Sequence, residues 1–323
     1  MSLLEVENLY VTLPTADGPV TVVDGVSFAI DEGKVFGIAG ESGSGKTMSA
    51  LAMLGLLPPR ARVEGRIVYK GRDLVGIGER EMQAVRGREI AMIFQDPLTS
   101  LHPMLTIGRA LTEHLRHHLK LSRKDAEQRA IELLDEVRIP DPEGCLKAYP
   151  HQFSGGMRQR IAIAVALICS PSMVIADEPT TALDVTVQAG ILHLLDRLRQ
   201  ENGLSVMLIT HDLGVMSAIA DEVSVMYSGR LVESGTTSEM MQSPRHPYTE
   251  GLLGALPHPE ANDERALLAI PGSPPAASDP PSGCRFHPRC AYAKDSCKES
   301  VPELITIGSR RLACPVNPFA VKA

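Results

Sequence analysis

The chain has 323 residues, of which 44% are apolar and 22% charged, and its net charge is −7. That length holds one large α/β core plus a smaller second unit, and the two fractions are those of a globular protein. The acidic balance excludes a general nucleic-acid binder, whose affinity rests on basic surface, and no apolar run approaches the ~20 residues that span a bilayer.

The opening Met1-Ser2-Leu3-Leu4-Glu5-Val6 lacks the basic region and long apolar core of a secretory signal. A cytosolic chain is therefore expected, with any membrane role arising through a partner. Leu3 to Leu9 alternates as a strand, Thr21 to Ile30 reads as a second, and Asp31-Glu32-Gly33 turns into the apolar run Val35 to Ala39, a buried strand. Gly40-Glu41-Ser42-Gly43-Ser44-Gly45-Lys46-Thr47 follows, and it fits G-x-x-x-x-G-K-[ST] at every fixed position. Its glycines let the backbone wrap around phosphate oxygens so that consecutive N–H groups point inward. Lys46 then reaches the β- and γ-phosphates, and the Thr47 hydroxyl can ligate Mg²⁺. Thr47 to Leu57, stopped by Pro58 and Pro59, reads as a helix whose positive end faces the phosphates. A glycine-rich turn with a chance lysine is the bland alternative, and the strand–loop–helix context weighs against it.

Arg66 to Tyr69 and Ile90 to Phe94 are further short strands. Leu98 to Leu105, with Leu101 and Met104 among polar neighbours, suits a groove for a partner's helix, with core packing an equal rival. From about Thr106 to Cys169 the spacing turns helical, as in Leu111 to Leu119 and Lys124 to Val137, and reads as a helical insertion between two halves of a sheet. Within it, Phe153-Ser154-Gly155-Gly156-Met157 opens the apolar helix Ile161 to Ile168. Ser154, Gly155 and Gly156 can form a second anion site, although alone the segment reads more simply as a helix cap. Met173-Val174-Ile175-Ala176 is a buried strand ending in Asp177 and Glu178. Behind a phosphate loop, Asp177 is placed to hold Mg²⁺ and Glu178 to polarise the attacking water. The helix Val185 to Glu201 and the strand Ser205 to Thr210 complete a βαβ rhythm.

After about Glu239 the sheet signals fade, and residues 257–283 hold seven prolines, a linker or extended wrap. Cys284, Cys290, Cys297 and Cys314 crowd into the last forty residues, whereas Cys145 and Cys169 are scattered. In a cytosolic chain such a cluster points to metal more than to disulfides. Its spacings of five, six and sixteen intervening residues depart from the short pairs of structural zinc. Four thiolates suit a 4Fe–4S cluster; zinc and unligated thiols stay open as alternatives.

Taken in order, the phosphate loop, Gln95 after its strand, Ser154-Gly155-Gly156, Asp177-Glu178, Ala182-Leu183-Asp184 and His211 resemble an ATP-binding cassette (ABC) ATPase over about residues 3–256. The resemblance implies an α/β P-loop NTPase core with an antiparallel β subdomain and a helical insertion at about 105–170. It implies a cassette at 1–256 and a small irregular Cys-rich extension at 257–323. In that family two cassettes face each other head to tail, and each ATP lies between one subunit's phosphate loop and the other's Ser-Gly-Gly. Carried over, Gly40 to Thr47, Gln95, Asp177, Glu178 and His211 form one half-site, with Thr47, Gln95 and Asp177 at Mg²⁺ and His211 at the γ-phosphate. Ser154 to Gly156 serve the partner's nucleotide. Two departures stand out. The usual adenine-stacking aromatic aligns with Leu13, with Tyr10 three residues earlier, and Phe153 and Met157 replace the commoner Leu and Gln.

Phe94 to Pro103 and Ser243 to Thr249 resemble the ATPase subunits of bacterial peptide and nickel importers, and Gly283 to Ala293 with Cys297 and Cys314 is similar to the tail of the dipeptide-transporter type. This implies a second homologous ATPase as heterodimer partner, two permeases, an external substrate-binding protein, and a peripheral place on the cytoplasmic face of the plasma membrane. It also implies the 4Fe–4S cluster. Importers of nickel chelates or glutathione, and a soluble cassette ATPase outside transport, are the competing functions.

Overall fold

The computed structural model describes residues 2–180, 184–256 and 269–319. They pack as two compact units, one of Met1–Asp31, Val35–Gly76 and Ile209–Ala323, the other of Glu32–Lys34 and Ile77–Leu208.

In the first unit, strand Ser2–Thr15 pairs antiparallel with Gly18–Asp31 on one side and Arg62–Tyr69 on the other, so Leu4 faces Ile30 and Tyr69. All three are buried. The first strand runs six residues past the expected Leu9 because it bulges instead of ending there. Asn8 takes φ +48° at the bulge, its N–H bonds Ser27 Oγ at 2.8 Å, and a Cβ on Gly65 would lie 2.2 Å from the Asn8 carbonyl. The buried strand Val35–Ala39 pairs parallel with Glu222–Tyr227, which turns back antiparallel into Arg230–Thr236. The sheet does not fade where the sequence suggested. Arg310–Leu312 pairs antiparallel with Arg230–Thr236 and carries Ile305–Ile307 on its far side, so the tail adds a hairpin to the sheet.

In the second unit, Ile90–Ile93 pairs parallel with Met173–Asp177. The expected helical insertion is present. Ile107–His118 buries Ile107, Leu111 and Leu115, and Arg123–Glu136 buries Ala126, Ala130, Leu133 and Leu134, each on one face at helical spacing. The helix starts are locally encoded: Ser122 accepts from Asp125 N–H, Ser154 from Met157 N–H and Asp184 from Val187 N–H. Helix Val185–Asn202 ends on Gly203 in the left-handed region.

Candidate functional site

The first unit carries the phosphate loop and His211; the second carries Gln95, Asp177, Glu178 and the Ser154 segment. Strand Val35–Ala39 is buried throughout and delivers the chain to Gly40, whose φ is +150° and where a Cβ would meet the Met226 carbonyl at 2.1 Å. Gly45, φ +106°, would bring a Cβ to 2.6 Å from the Val22 carbonyl. Only glycine fits such a cradle. Helix Lys46–Met53 begins at once, with Gly45 at its N-cap. The Lys46 amine is curled over the loop, donating to the Gly40 carbonyl at 2.7 Å and the Glu41 carbonyl at 2.9 Å, with Ser44 Oγ at 3.4 Å. Ser42, Gly43 and Thr47 are exposed, and the Ser44 carbonyl is fixed by Gly229 N–H at 2.8 Å. The result is a loop with a primary amine and a helix N-terminus at its mouth, fitted to a polyphosphate. His211 is exposed just past strand Ser205–Thr210, ahead of the helix capped by Asp212. Leu13 is half-buried opposite Val20, and Tyr10 is partly exposed with its hydroxyl over Gly25.

In the second unit the expected carboxylates sit at the end of strand Met173–Asp177. Asp177 is buried, and Glu178 takes φ +47°, a strained conformation for a non-glycine residue. Gln95 is brought to it: its Nε2 donates to Glu178 Oε2 at 3.0 Å. Ser154 caps helix Gly155–Leu167, with Ser154 and Gly155 exposed. Gly156 has a packing role that the sequence did not reveal, since a Cβ there would meet Val187 Cγ1 at 2.8 Å. Of the Ala182-Leu183-Asp184 segment, Ala182 and Leu183 lie outside the described residues, and Asp184 caps the next helix.

Leu101 and Met104, paired in the sequence reading, separate. Leu101 is buried, whereas Met104 is 76% exposed.

The four tail cysteines line one small cavity together with His246, Phe286 and Tyr292. Burial pushes the Cys284 thiol up to about 11, and burial also raises Cys290 and Cys314. Against that, backbone N–H groups turn toward the sulfurs: that of Phe286 to Cys284, that of Tyr292 to Cys290, and those of Asn317 and Val316 to Cys314. Among the described residues, however, no group of three or more His, Cys, Asp or Glu is arranged to hold a metal ion. Neither the 4Fe–4S cluster nor zinc is therefore established.

Two residues beside the phosphate loop escaped the sequence reading as site residues. Glu41 N–H donates to the Tyr248 hydroxyl at 2.8 Å, and Arg289 grips the Glu41 carboxylate with both terminal nitrogens. Both partners lie in segments singled out for other reasons, but nothing local ties them to a loop 207 and 248 residues away.

A family model described as "ABC transporter" matches residues 23–181, and one described as "Oligopeptide/dipeptide transporter, C-terminal region" matches residues 232–297. The chain is 48% identical over 307 residues to the oligopeptide transport ATP-binding protein OppD of Bacillus subtilis (strain 168), covering 94% of this chain and 86% of that protein. It is 50% identical over 302 residues to the dipeptide transport ATP-binding protein DppD of the same strain, covering 93% and 90%. Among solved structures, a dimeric ATP-binding cassette in a post-hydrolysis state bound to ADP and Pi superposes with a TM-score of 0.65 at 27% identity, over 72% of this chain and 98% of that one. The cassette cbiO1 from Clostridium perfringens, part of the ABC transporter complex cbiONQ, gives 0.63 at 27% identity, over 74% and 90%.

Proposed function

The chain belongs to the ABC transporter family as an ATP-binding, ATP-hydrolysing subunit of the oligopeptide/dipeptide importer type, and from that premise we propose how its residues share the work. Its fold is the mixed α/β ABC cassette with an antiparallel β subdomain. Gly40 to Thr47 bind the ATP phosphates, with Lys46 moving from the loop carbonyls to the β- and γ-oxygens. The observation that carries this is the Lys46 amine held at the mouth of a loop that only glycines can form. Thr47, Gln95 and Asp177 are the residues that would hold Mg²⁺, which when bound neutralises charge on the β- and γ-phosphates. Glu178, oriented by the Gln95 amide, takes a proton from the attacking water, and His211 donates to the γ-phosphate. Ser154, Gly155 and Gly156 present a helix N-terminus to the nucleotide of a partner cassette.

The assembly we infer is a heterodimer with a second homologous ATPase beneath two permeases, fed by a substrate-binding protein. No helix among the described residues is long and apolar enough to cross a membrane, which fits a subunit held on the cytoplasmic face through those permeases. Residues 1–256 form the cassette in this reading and 257–323 the extension. The cysteine tail is proposed to hold a 4Fe–4S cluster through Cys284, Cys290, Cys297 and Cys314, or zinc in its place. Four thiols on one cavity, three of them met by backbone N–H groups, suit metal-bound thiolates, whose negative charge such donors stabilise.

Affinity purification of the tagged chain from membranes tests the assembly, followed by ATP-dependent uptake of labelled di- and oligopeptides by the reconstituted complex. Two hydrophobic subunits and peptide uptake are expected. Recovery of ribosomes or nucleic acid instead would place this ATPase outside transport. Uptake of a nickel chelate or glutathione in preference to peptide would change the cargo alone.

A further inference from the structure

The C-terminal tail and the phosphate loop meet within the first unit. Arg289 ends a short 3-10 turn, His287–Arg289, and its side chain is only 6% exposed. Nη1 donates to Glu41 Oε2 at 2.6 Å and Nη2 to Glu41 Oε1 at 3.0 Å, a two-pronged ion pair. The rest of the guanidinium is equally committed. Nε donates to the Pro271 carbonyl at 2.8 Å, and the group lies over the rings of Tyr227 and Phe286 at 5.8 and 6.0 Å. Glu41 is the residue after Gly40, inside the phosphate loop. Its N–H is held by the Tyr248 hydroxyl, its carbonyl by Lys46 Nζ, and both carboxylate oxygens by Arg289. A second arginine four residues earlier grips the turn behind the loop. Arg285 bonds the Ser228 carbonyl and the Asp24 carboxylate, while Gly229 N–H holds the Ser44 carbonyl.

A carboxylate inside a phosphate-binding loop opposes the ligand's own charge unless a cation neutralises it. We propose that Arg289 is a positioning residue for nucleotide binding: it neutralises Glu41 and fixes it toward the tail, so that the cysteine-bearing extension completes the ATP site. The inference rests on Gly40 to Thr47 binding phosphates. A guanidinium suits the task because its rigid fork matches both carboxylate oxygens, whereas an ammonium would match one.

The test uses the full-length chain, with affinity for the fluorescent nucleotide MANT-ATP measured beside thermal melting at fixed ionic strength. Arg289→Met should weaken binding about 5- to 30-fold, the effect of one unneutralised charge nearby at intermediate dielectric. Arg289→Lys should fall between it and the native chain. Glu41→Gln should restore binding to the Arg289→Met background, because no charge is left to neutralise. Affinity within about 2-fold of native for a folded Arg289→Met overturns the proposal, as does a double variant no better than Arg289→Met, which would make Arg289 a structural strap only. If Arg289→Met does not fold, Arg289→Lys with and without Glu41→Gln decides by the same criteria. Lys46→Ala separates the two possible failures. Undiminished binding in that variant defeats the phosphate-loop reading itself, whereas binding lost there but kept in Arg289→Met defeats only the role of Arg289.

Discussion

The side-chain amide of Gln95 donates to the carboxylate of Glu178 across 3.0 Å, joining residues 83 positions apart in one unit. Glu178 also sits in the left-handed backbone region, so both its backbone and its carboxylate are set before any ligand arrives. Such preorganisation is what a general base needs, since it must meet its water in a fixed direction.

Glu178→Gln keeps the shape of this side chain and removes its capacity to take a proton. ATP hydrolysis by the assembled transporter should fall about 10²- to 10⁴-fold while nucleotide binding persists. The variant should collect as an ATP-bound closed dimer, visible by size-exclusion chromatography with ATP. Near-native turnover would show that Glu178 is not the base.

Leu101 and Met104 should respond in opposite ways, because one is buried and the other 76% exposed. Met104→Glu should leave thermal melting unchanged and uncouple peptide uptake from hydrolysis if this surface receives a permease helix. Leu101→Glu buries an unpaired charge and should cost about 3 kcal/mol or more of stability. A Met104→Glu complex that transports normally would remove the docking role.

Gly156→Ala should cost about 1–3 kcal/mol by driving a Cβ to within 2.8 Å of Val187 Cγ1. Val187→Ala in the same chain should recover most of that loss in a urea titration. If stability returns and ATPase activity does not, Gly156 is needed at the nucleotide as well as between the helices.

Loss of any one of Cys284, Cys290, Cys297 or Cys314 should expose the tail to proteolysis before the cassette, since binding a cofactor only in the folded form stabilises that form. Anaerobically purified protein should be brown, with about four irons per chain and absorption near 400 nm. Colourless protein carrying one zinc would replace the cluster with a structural zinc site. Four Cys→Ser changes that leave both proteolysis and transport unaltered would end the ligand reading.

Cys145 and Cys169 are buried, and burial pushes both thiols up to about 11. Almost no thiolate exists at pH 8, so native protein should resist iodoacetamide at both positions and react fully in urea. Labelling of either in the native chain, mapped by mass spectrometry, would show that the packing around that thiol opens locally.

What the sequence determined by itself was everything whose cause lies within a few residues. The run Val35 to Thr47 specifies strand, glycine loop and helix because apolar continuity, positive φ and the cap are all local demands. The helix start at Ser154, and the carboxylates ending strand Met173–Asp177, were legible for the same reason. Tertiary structure alone decided the rest. The first strand continues past Leu9 because Gly65 and Ser27 accommodate a bulge from neighbouring strands. The strands Ile305–Ile307 and Arg310–Leu312 are too short for a period of two to stand out, and they exist because Arg230–Thr236 offers an edge to pair with. Leu101 and Met104 look alike in composition and part only when one side chain finds the core. Glu41 and Arg289 show the limit most clearly. An ion pair depends on which charged groups the fold brings within reach, and the chain between these two positions, 248 apart, carries no periodicity that records it.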